Sequence, residues 1–235
     1  FLLPVYTKYL SPSDYGVLNS LNSISNLLPL FISLYLDSAF GRYYFSARKE
    51  SQESLATLYS TLFWFILFWG IVVVLLSFIL SPLLIQPLLN VPFMPYIPLL
   101  MIPALLGQLS LLGTVYLKSS LQAKEVTIIN LVSSFSTIAL TVVLLVRFNL
   151  GIQSNLYGTA LGSVITLIYF LYISIKYRLL IFCFKKDILW MSLVFSLPLI
   201  PNVASGWIGG LSDRLIMAYY GKIEQVALYS ISAQI

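Results

Sequence analysis

The segment LATLYSTLFWFILFWGIVVVLLSFIL, Leu55–Leu80, is a continuous run of apolar and small polar residues without a charged side chain. An α-helix needs about 20 such residues to cross the roughly 30 Å hydrocarbon layer of a bilayer. This run is long enough to do so. The segment therefore predicts a membrane-spanning helix.

The composition of the whole chain agrees with this prediction. Of the 235 residues, 59% are hydrophobic and 9% are charged, whereas a soluble domain carries about 25% charged residues. Further predicted spans are Val17–Leu36, Tyr96–Leu117, Val126–Val146, Leu156–Ile175 and an overlong, bent Ile188–Tyr220. Phe1–Leu10 resembles the end of an earlier span and Gln225–Ile235 the start of a later one. We expect an all-α, polytopic transmembrane helix bundle that is a fragment of a longer protein.

Lysine and arginine are concentrated in alternate loops. The loops after the first, third and fifth complete spans contain Arg42, Arg48, Lys49, Lys118, Lys124, Lys176, Arg178, Lys185 and Lys186. The loop Ser81–Pro95 contains none. Since basic loops favour the cytoplasm, we predict that Arg42–Lys49 and Lys176–Lys186 are cytoplasmic and that Ser81–Pro95 faces outward. This bias explains the net charge of +5, and no nucleic-acid partner is expected.

The sequence lacks the residues that several kinds of metal, catalytic and ATP site require. It has no His and one Cys, Cys183, so imidazole or thiolate metal sites and Ser-His or Cys-His nucleophiles are not expected. It has no G-x-x-x-x-G-K-[ST] sequence for ATP. We therefore expect no catalytic residues, metal or cofactor. The sequence GTALG, Gly158–Gly162, is a weak indication of close helix packing.

Polar residues recur on one face of two predicted spans. In Val17–Leu36 and just beyond it these are Asn19, Asn22, Asn26, Ser33 and Asp37. In the last span they are Asn202, Ser205, Gly209 and Asp213. Because polar groups in a membrane usually face a bundle interior or a water-filled cavity, we predict that both faces line one hydrated cavity. The alternative is hydrogen bonding between helices, which we favour for Asn130, Ser134, Thr137 and Thr141. We expect Pro29, Pro198 and Pro201 to interrupt their helices.

The last span also holds the adjacent charges Asp213 and Arg214. Neighbouring residues on a helix point about 100° apart, so we expect Asp213 to face the cavity and Arg214 its flank. A charge at bilayer depth costs about 2.5–3.5 kcal/mol or more, which favours a use for the pair. A structural ion pair is the alternative.

Two segments on either side of six spans resemble each other. YLSPSDYGVLNSL, Tyr9–Leu21, aligns with YYGKIEQVALYSI, Tyr219–Ile231. An even number of spans between two copies gives parallel repeats, which is a common transporter plan. We predict a first transmembrane lobe over residues 1–180, the start of a second over 181–235, and about twelve spans in the intact protein.

Three segments resemble the polysaccharide (O-antigen) flippases of the multidrug/oligosaccharidyl-lipid/polysaccharide exporter superfamily. They are LLPVYTKYLSPSDYGVLNSL, DSAFGRYYF and SDRLIMAYYGKIEQVALYSI, which begin at Leu2, Asp37 and Ser212. The resemblance implies two six-helix lobes around a cavity and a non-enzymatic role. The implied activity moves an undecaprenyl-diphosphate-linked oligosaccharide (an O-antigen, capsule or exopolysaccharide unit) across the bacterial inner membrane by alternating access.

Such a substrate suits the residues singled out above. Asn22, Asn26 and Asn202 offer hydrogen bonds to sugar hydroxyls. Arg42 and Arg214 offer planar donor forks to the diphosphate, although Arg42 has the alternative of reaching lipid headgroups. Asp213 would respond to a coupling cation, H⁺ or Na⁺, or orient Arg214, and Asp37 would line the cavity. Membrane lipids, glycosyltransferases and a polysaccharide polymerase are the other expected partners.

Two other functions remain open at the level of the sequence. A drug or cation exporter of the same superfamily predicts a cavity of carboxylates and aromatic walls. A membrane-embedded glycan polymerase or ligase predicts clustered Arg, Glu or His in a large outer loop, whereas the outer loops of this chain are short and almost uncharged.

Overall fold

The computed structural model describes residues 3–89 and 92–220, and in these ranges all regular structure is helical. The helices are α1 Leu3–Tyr9, α2 Pro12–Ile32, α3 Leu36–Glu50, α4 Gln52–Leu89, α5 Tyr96–Ser119, α6 Ala123–Phe148, α7 Gln153–Lys176, α8 Lys186–Ser196 and α9 Ile200–Tyr219. In the described ranges, five stretches are long and apolar enough to cross a membrane, or six if the bent pair α2–α3 is one span. The chain is therefore part of a polytopic helical bundle, as predicted.

Three predicted spans match helices closely. The helices α5, α6 and α7 begin and end within three residues of the predicted bounds. Helix α4 contains the predicted span Leu55–Leu80 but continues to Leu89. A 3-10 turn, Leu197–Leu199, interrupts the overlong last span and separates α8 from α9, while the predicted bend of this span stays a prediction. Pro198 lies in that turn, where its missing N–H disturbs no α-helical hydrogen bond.

The prediction for Val17–Leu36 was wrong at its end. Helix α2 stops at Ile32, and Leu36 begins α3 at an angle of 47°. The segment from Gly41 to Ser54, interpreted as a loop between two spans, is helical except at Ser51, because α3 continues to Glu50 and α4 begins at Gln52. Its apolar side explains this, since Ala39, Phe40 and Tyr44 are buried against α4 and α5. Pro29 does not stop α2, which continues for another three residues to Ile32.

Aromatic contacts bring the three basic segments to one end of the bundle. The Tyr44 ring lies 6.0 Å from that of Tyr116, and Tyr116 lies 5.5 Å from Tyr177, which joins the ends of α3, α5 and α7. The Tyr177 hydroxyl also donates to Gln122 Oε1 over 3.1 Å. This shared end, called the basic end below, is the one that the sequence assigns to the cytoplasm.

The GTALG segment brings α6 and α7 into close contact. A Cβ added to Gly158 would lie 2.8 Å from the backbone oxygen of Thr137, and one added to Gly162 would meet Thr137 Oγ1. Ser133 Oγ donates to the Gly162 oxygen over 3.0 Å. The close packing predicted from this motif is confirmed. Of the polar set predicted to bond between helices, Thr137 and Thr141 face these glycines, while Asn130 and Ser134 are exposed.

Side chains of α4 hold the segment between α7 and α8. Ser60 Oγ donates to the Leu179 oxygen and accepts from the Ile181 N–H, both over 2.8 Å. Trp64 Nε1 donates to the Ile181 oxygen over 3.0 Å, and Thr61 Oγ1 accepts from the Lys185 N–H over 3.2 Å. The linker that would join two lobes is thus fixed to the first one.

Helices α8 and α9 pack back on the beginning of the chain, α8 against α3 and α4, and α9 against α2 and α4. The boundary between residues 180 and 181 stays a prediction. The second copy of the repeat, apart from its first two residues, and the predicted span Gln225–Ile235 lie outside the described residues.

Candidate functional site

The break between α2 and α3 is built around Ser33. Its N–H and its hydroxyl both donate to the Pro29 oxygen, over 3.0 and 3.1 Å, and the hydroxyl accepts from the Tyr35 N–H over 3.3 Å. Leu34 and Tyr35 follow with φ of 49° and 61°. A non-glycine residue costs about 1–3 kcal/mol in this left-handed region. The Ser33 bonds occupy backbone groups that the interrupted helix leaves open, and they offset part of this cost.

This break lies in the middle of the bundle and not at its edge. A Cβ added to Gly70 would lie 3.1 Å from Ile32, the last residue of α2. Gly70 is just past the midpoint of the apolar stretch Gln52–Leu83. Trp69 Nε1 also donates to the Phe31 oxygen over 2.9 Å. The first turn of α3 therefore begins beside the middle of the apolar stretch of α4.

Asp37 is half-buried in that first turn. An acidic group at a helix N-terminus compensates the positive end of the helix dipole. Asp37 thus stabilises the start of α3, whatever else its carboxylate binds.

The polar stripe on α2 divides into a buried and an open part. Asn19 and Ser33 are buried and bond to the carbonyls of Tyr15 and Pro29 in their own helix. Asn22 is half-buried and Asn26 is exposed. Within the described ranges neither of these two amides has a hydrogen-bond partner. Only Asn22 and Asn26 of the four are therefore available to a ligand.

The second stripe lies on the helix that packs against α2. Asn202, Ser205 and Asp213 are exposed on α9. Ser205 donates to the Pro201 oxygen over 2.7 Å, while the Asn202 amide has no partner among the described residues. Arg214 lies on α9, but its side chain is outside the described part of the chain. The two striped helices are neighbours, and a cavity common to both stays a prediction.

Arg42 is exposed on α3 and reaches across to α8. Its guanidinium carbon lies 4.4 Å from the centre of the Phe195 ring and 5.9 Å from that of Tyr43. The rings of Tyr43 and Phe195 meet edge to face at 6.1 Å. Cations over aromatic faces are attracted by the ring quadrupole. This contact orients the guanidinium, and the sequence did not predict it because Phe195 is distant along the chain.

No group of three or more His, Cys, Asp or Glu side chains in the described ranges is placed to hold a metal ion. The polar groups singled out on α2, α3 and α9 are the amides of Asn22, Asn26 and Asn202, the guanidinium of Arg42 and the carboxylates of Asp37 and Asp213. These groups bind hydroxyl-rich or anionic ligands through hydrogen bonds.

Together these features define a polytopic helical membrane protein with open hydrogen-bonding groups on helices that cross the membrane. A profile of the polysaccharide biosynthesis protein family matches residues 5–235. The chain belongs to that family, which makes it a multi-pass membrane protein of polysaccharide biosynthesis. Neither the curated proteins nor the solved structures contain a significant match.

Proposed function

We propose that this chain is part of a transporter that moves a lipid-linked oligosaccharide across the bacterial inner membrane by alternating access. The substrate is an oligosaccharide on undecaprenyl diphosphate, and the protein is not an enzyme. The observation that carries the proposal is the set of open amides on two adjacent membrane helices, Asn22 and Asn26 on α2 and Asn202 on α9, in a polysaccharide biosynthesis family.

The chemistry of the substrate requires such groups. Moving one hydroxyl into hydrocarbon without a hydrogen bond costs roughly 2–7 kcal/mol, and an oligosaccharide has many hydroxyls. Each Asn amide supplies two donors and an acceptor. A path lined with Asn22, Asn26 and Asn202 lowers the cost of transfer, while the lipid tail stays in the bilayer.

The diphosphate needs a different partner. The Arg42 guanidinium offers the planar donor fork that matches phosphate oxygens, and its contact with Phe195 leaves the residue exposed. We assign Arg42 to the diphosphate near the basic end and Arg214 to the same group further along α9. Asp37 and Asp213 are the carboxylates through which an H⁺ or Na⁺ gradient would act. Consumption of the product by a polymerase is the alternative drive.

The test uses the full-length gene in a strain from which it has been deleted. Arg42→Ala should reduce surface polysaccharide at least about tenfold, which corresponds to a loss of about 1.4 kcal/mol, and lipid-linked oligosaccharide should accumulate inside. Arg42→Lys keeps the charge, loses the fork and should fall between. Arg147→Ala, an exposed arginine on α6, is the matched control.

Membrane levels of all variants are compared by immunoblot. Normal export by Arg42→Ala would show that Arg42 does not bind the diphosphate. A deletion strain that exports polysaccharide normally but becomes sensitive to cationic drugs would show a drug exporter instead. A deletion strain that still flips the lipid but leaves it unpolymerised would show a polymerase.

A further inference from the structure

A cavity at the basic end is lined by residues that the assignments above do not use. It lies between α3, α4 and α8 and has a volume of about 360 Å³, within the range of small-molecule sites. We call it the α3–α4–α8 cavity. Its polar lining includes Tyr43, Ser54, Thr57 and the charged residues Glu50, Lys185 and Asp187. Helix packing alone assembles it, since α3 and α8 are far apart in sequence.

The floor of this cavity holds a buried hydroxyl without a partner. Thr57 is 4% exposed, and within the described ranges its hydroxyl makes no hydrogen bond. Among the described residues, the Thr57 oxygen is not one of the unpartnered side-chain oxygens that are sealed from solvent. It therefore opens into the cavity. Because this oxygen reaches the cavity and has no partner in the protein among the described residues, it can exchange hydrogen bonds with water or with a hydroxyl of a ligand.

The charged residues that line the cavity limit the classes of ligand that it can bind. Glu50 and Asp187 are exposed, as is Lys185, and within the described ranges neither carboxylate forms an ion pair with Lys185. Two carboxylates and one ammonium disfavour a phosphate, because like charges repel. An apolar ligand would remove water from all three charges without replacing its hydrogen bonds.

A sugar ring matches both halves of the lining. Its hydroxyls donate to the carboxylates of Glu50 and Asp187 and exchange hydrogen bonds with Thr57, since a hydroxyl is both donor and acceptor. Its C–H face is apolar and fits the wall formed by Leu58, Ile188 and Met191. Such combinations of an apolar wall and a few polar groups are usual in ligand sites.

The cavity is also next to Arg42, the residue proposed to bind the diphosphate. Tyr43 lines it, and the same ring contacts Phe195 edge to face at 6.1 Å. The Arg42 guanidinium lies over Phe195, 4.4 Å from the ring centre. One layer of aromatic rings therefore separates the cavity from Arg42. This arrangement matches the substrate, in which the diphosphate is adjacent to the first sugar ring.

We propose that the α3–α4–α8 cavity binds a sugar ring of the lipid-linked oligosaccharide at the basic end of the bundle while Arg42 binds the diphosphate. This inference rests on the proposed function. It adds a subsite for the sugar that is separate from the amides of α2 and α9 and explains why Thr57 is left without an internal partner.

The test measures binding of two probes to the purified full-length protein in detergent. One probe is lipid-linked oligosaccharide extracted from membranes of the strain of origin, and the other is undecaprenyl diphosphate without a sugar. Thr57→Val and Glu50→Gln should each weaken binding of the first probe at least about fivefold, because a hydrogen bond is lost. Binding of the second probe should stay within about twofold of the wild type.

The matched controls are Thr127→Val and Glu53→Gln, which change exposed residues outside the cavity and should bind both probes normally. If Thr57→Val is poorly folded by size-exclusion chromatography, Tyr43→Phe takes its place, since it keeps the ring and removes the hydroxyl. Unchanged binding by the cavity variants, or equal loss for both probes, overturns the sugar subsite and leaves the transporter proposal standing. A wild-type protein that binds neither probe overturns both proposals.

Discussion

Gly158 shows how one missing Cβ sets the distance between two membrane helices. Its neighbours across the interface are the backbone oxygen of Thr137 and the side chain of Thr141. In a membrane the hydrophobic effect does not drive helices together, so close van der Waals contact carries much of their association. A residue that separates α6 from α7 therefore weakens the packing of this helix pair directly.

Gly158→Ala should lower the free energy of unfolding by about 1–3 kcal/mol, the usual cost of overpacking. The added Cβ would lie 2.8 Å from a backbone oxygen, which cannot move aside as a flexible side chain does. Gly107→Ala is the control, because a Cβ there meets nothing within 4 Å. It should leave stability unchanged or raise it by about 0.4–1 kcal/mol.

The measurement is thermal unfolding of the purified full-length variants in one detergent. Equal midpoints for Gly158→Ala and Gly107→Ala would contradict the close approach of α6 and α7 at this position.

At the scale of elements, the segment from Tyr177 to Lys185 links α7 to α8 but is held in place by hydrogen bonds to α4. Ser60 satisfies a carbonyl and an N–H of this segment at once, and it is fully buried. Gln52 Nε2 adds a bond to the Tyr177 oxygen over 3.1 Å.

Ser60→Ala should release the linker from α4. The substitution leaves the Leu179 oxygen and the Ile181 N–H without their partner, at a cost of about 1–3 kcal/mol for a buried unsatisfied group. Trypsin should cut at Lys185 and Lys186 several-fold faster in the variant than in the wild type. The exposed cytoplasmic face of inside-out vesicles is the substrate for this assay.

Ser77→Ala is the matched control, since the Ser77 hydroxyl bonds only to the Val73 oxygen of its own helix. Equal cleavage rates for Ser60→Ala, Ser77→Ala and the wild type would show that the linker is not held by Ser60.

At the scale of the whole molecule, the orientation in the membrane follows from the shared basic end. The contacts between Tyr44, Tyr116 and Tyr177 place the basic ends of α3, α5 and α7 together. One side of the membrane must then hold these three basic segments. The positive-inside rule assigns that side to the cytoplasm.

Single-cysteine labelling in a Cys183→Ser background checks this assignment. Ser46→Cys and Met94→Cys place thiols at exposed positions in the basic segment and in the turn between α4 and α5. An impermeant maleimide added to intact cells should label Met94→Cys and not Ser46→Cys, and permeabilised cells should show both. Labelling of Ser46→Cys in intact cells would reverse the orientation and place the α3–α4–α8 cavity outside.

The sequence alone determined the membrane class, most helix positions and the basic end, because these depend on the local composition of each segment. It also predicted close helix packing at Gly158 and Gly162, since two glycines one turn apart carry that information locally, but only the structure identified α6 as the partner. The resemblance in the quoted segments led to the family that the profile shows over residues 5–235.

Only the tertiary structure decided the break at Ser33–Tyr35, the partner of Arg42 and the cavity beneath Glu50. Helix α3 was missed because its charges suggested a loop, whereas its apolar side is defined only by α4 and α5. The packing of helices far apart in the chain brings Arg42 into contact with Phe195. It also places Glu50 and Asp187 in the lining of one cavity. Pair contacts of this kind depend on the rotation of each helix about its axis, which hydropathy does not contain.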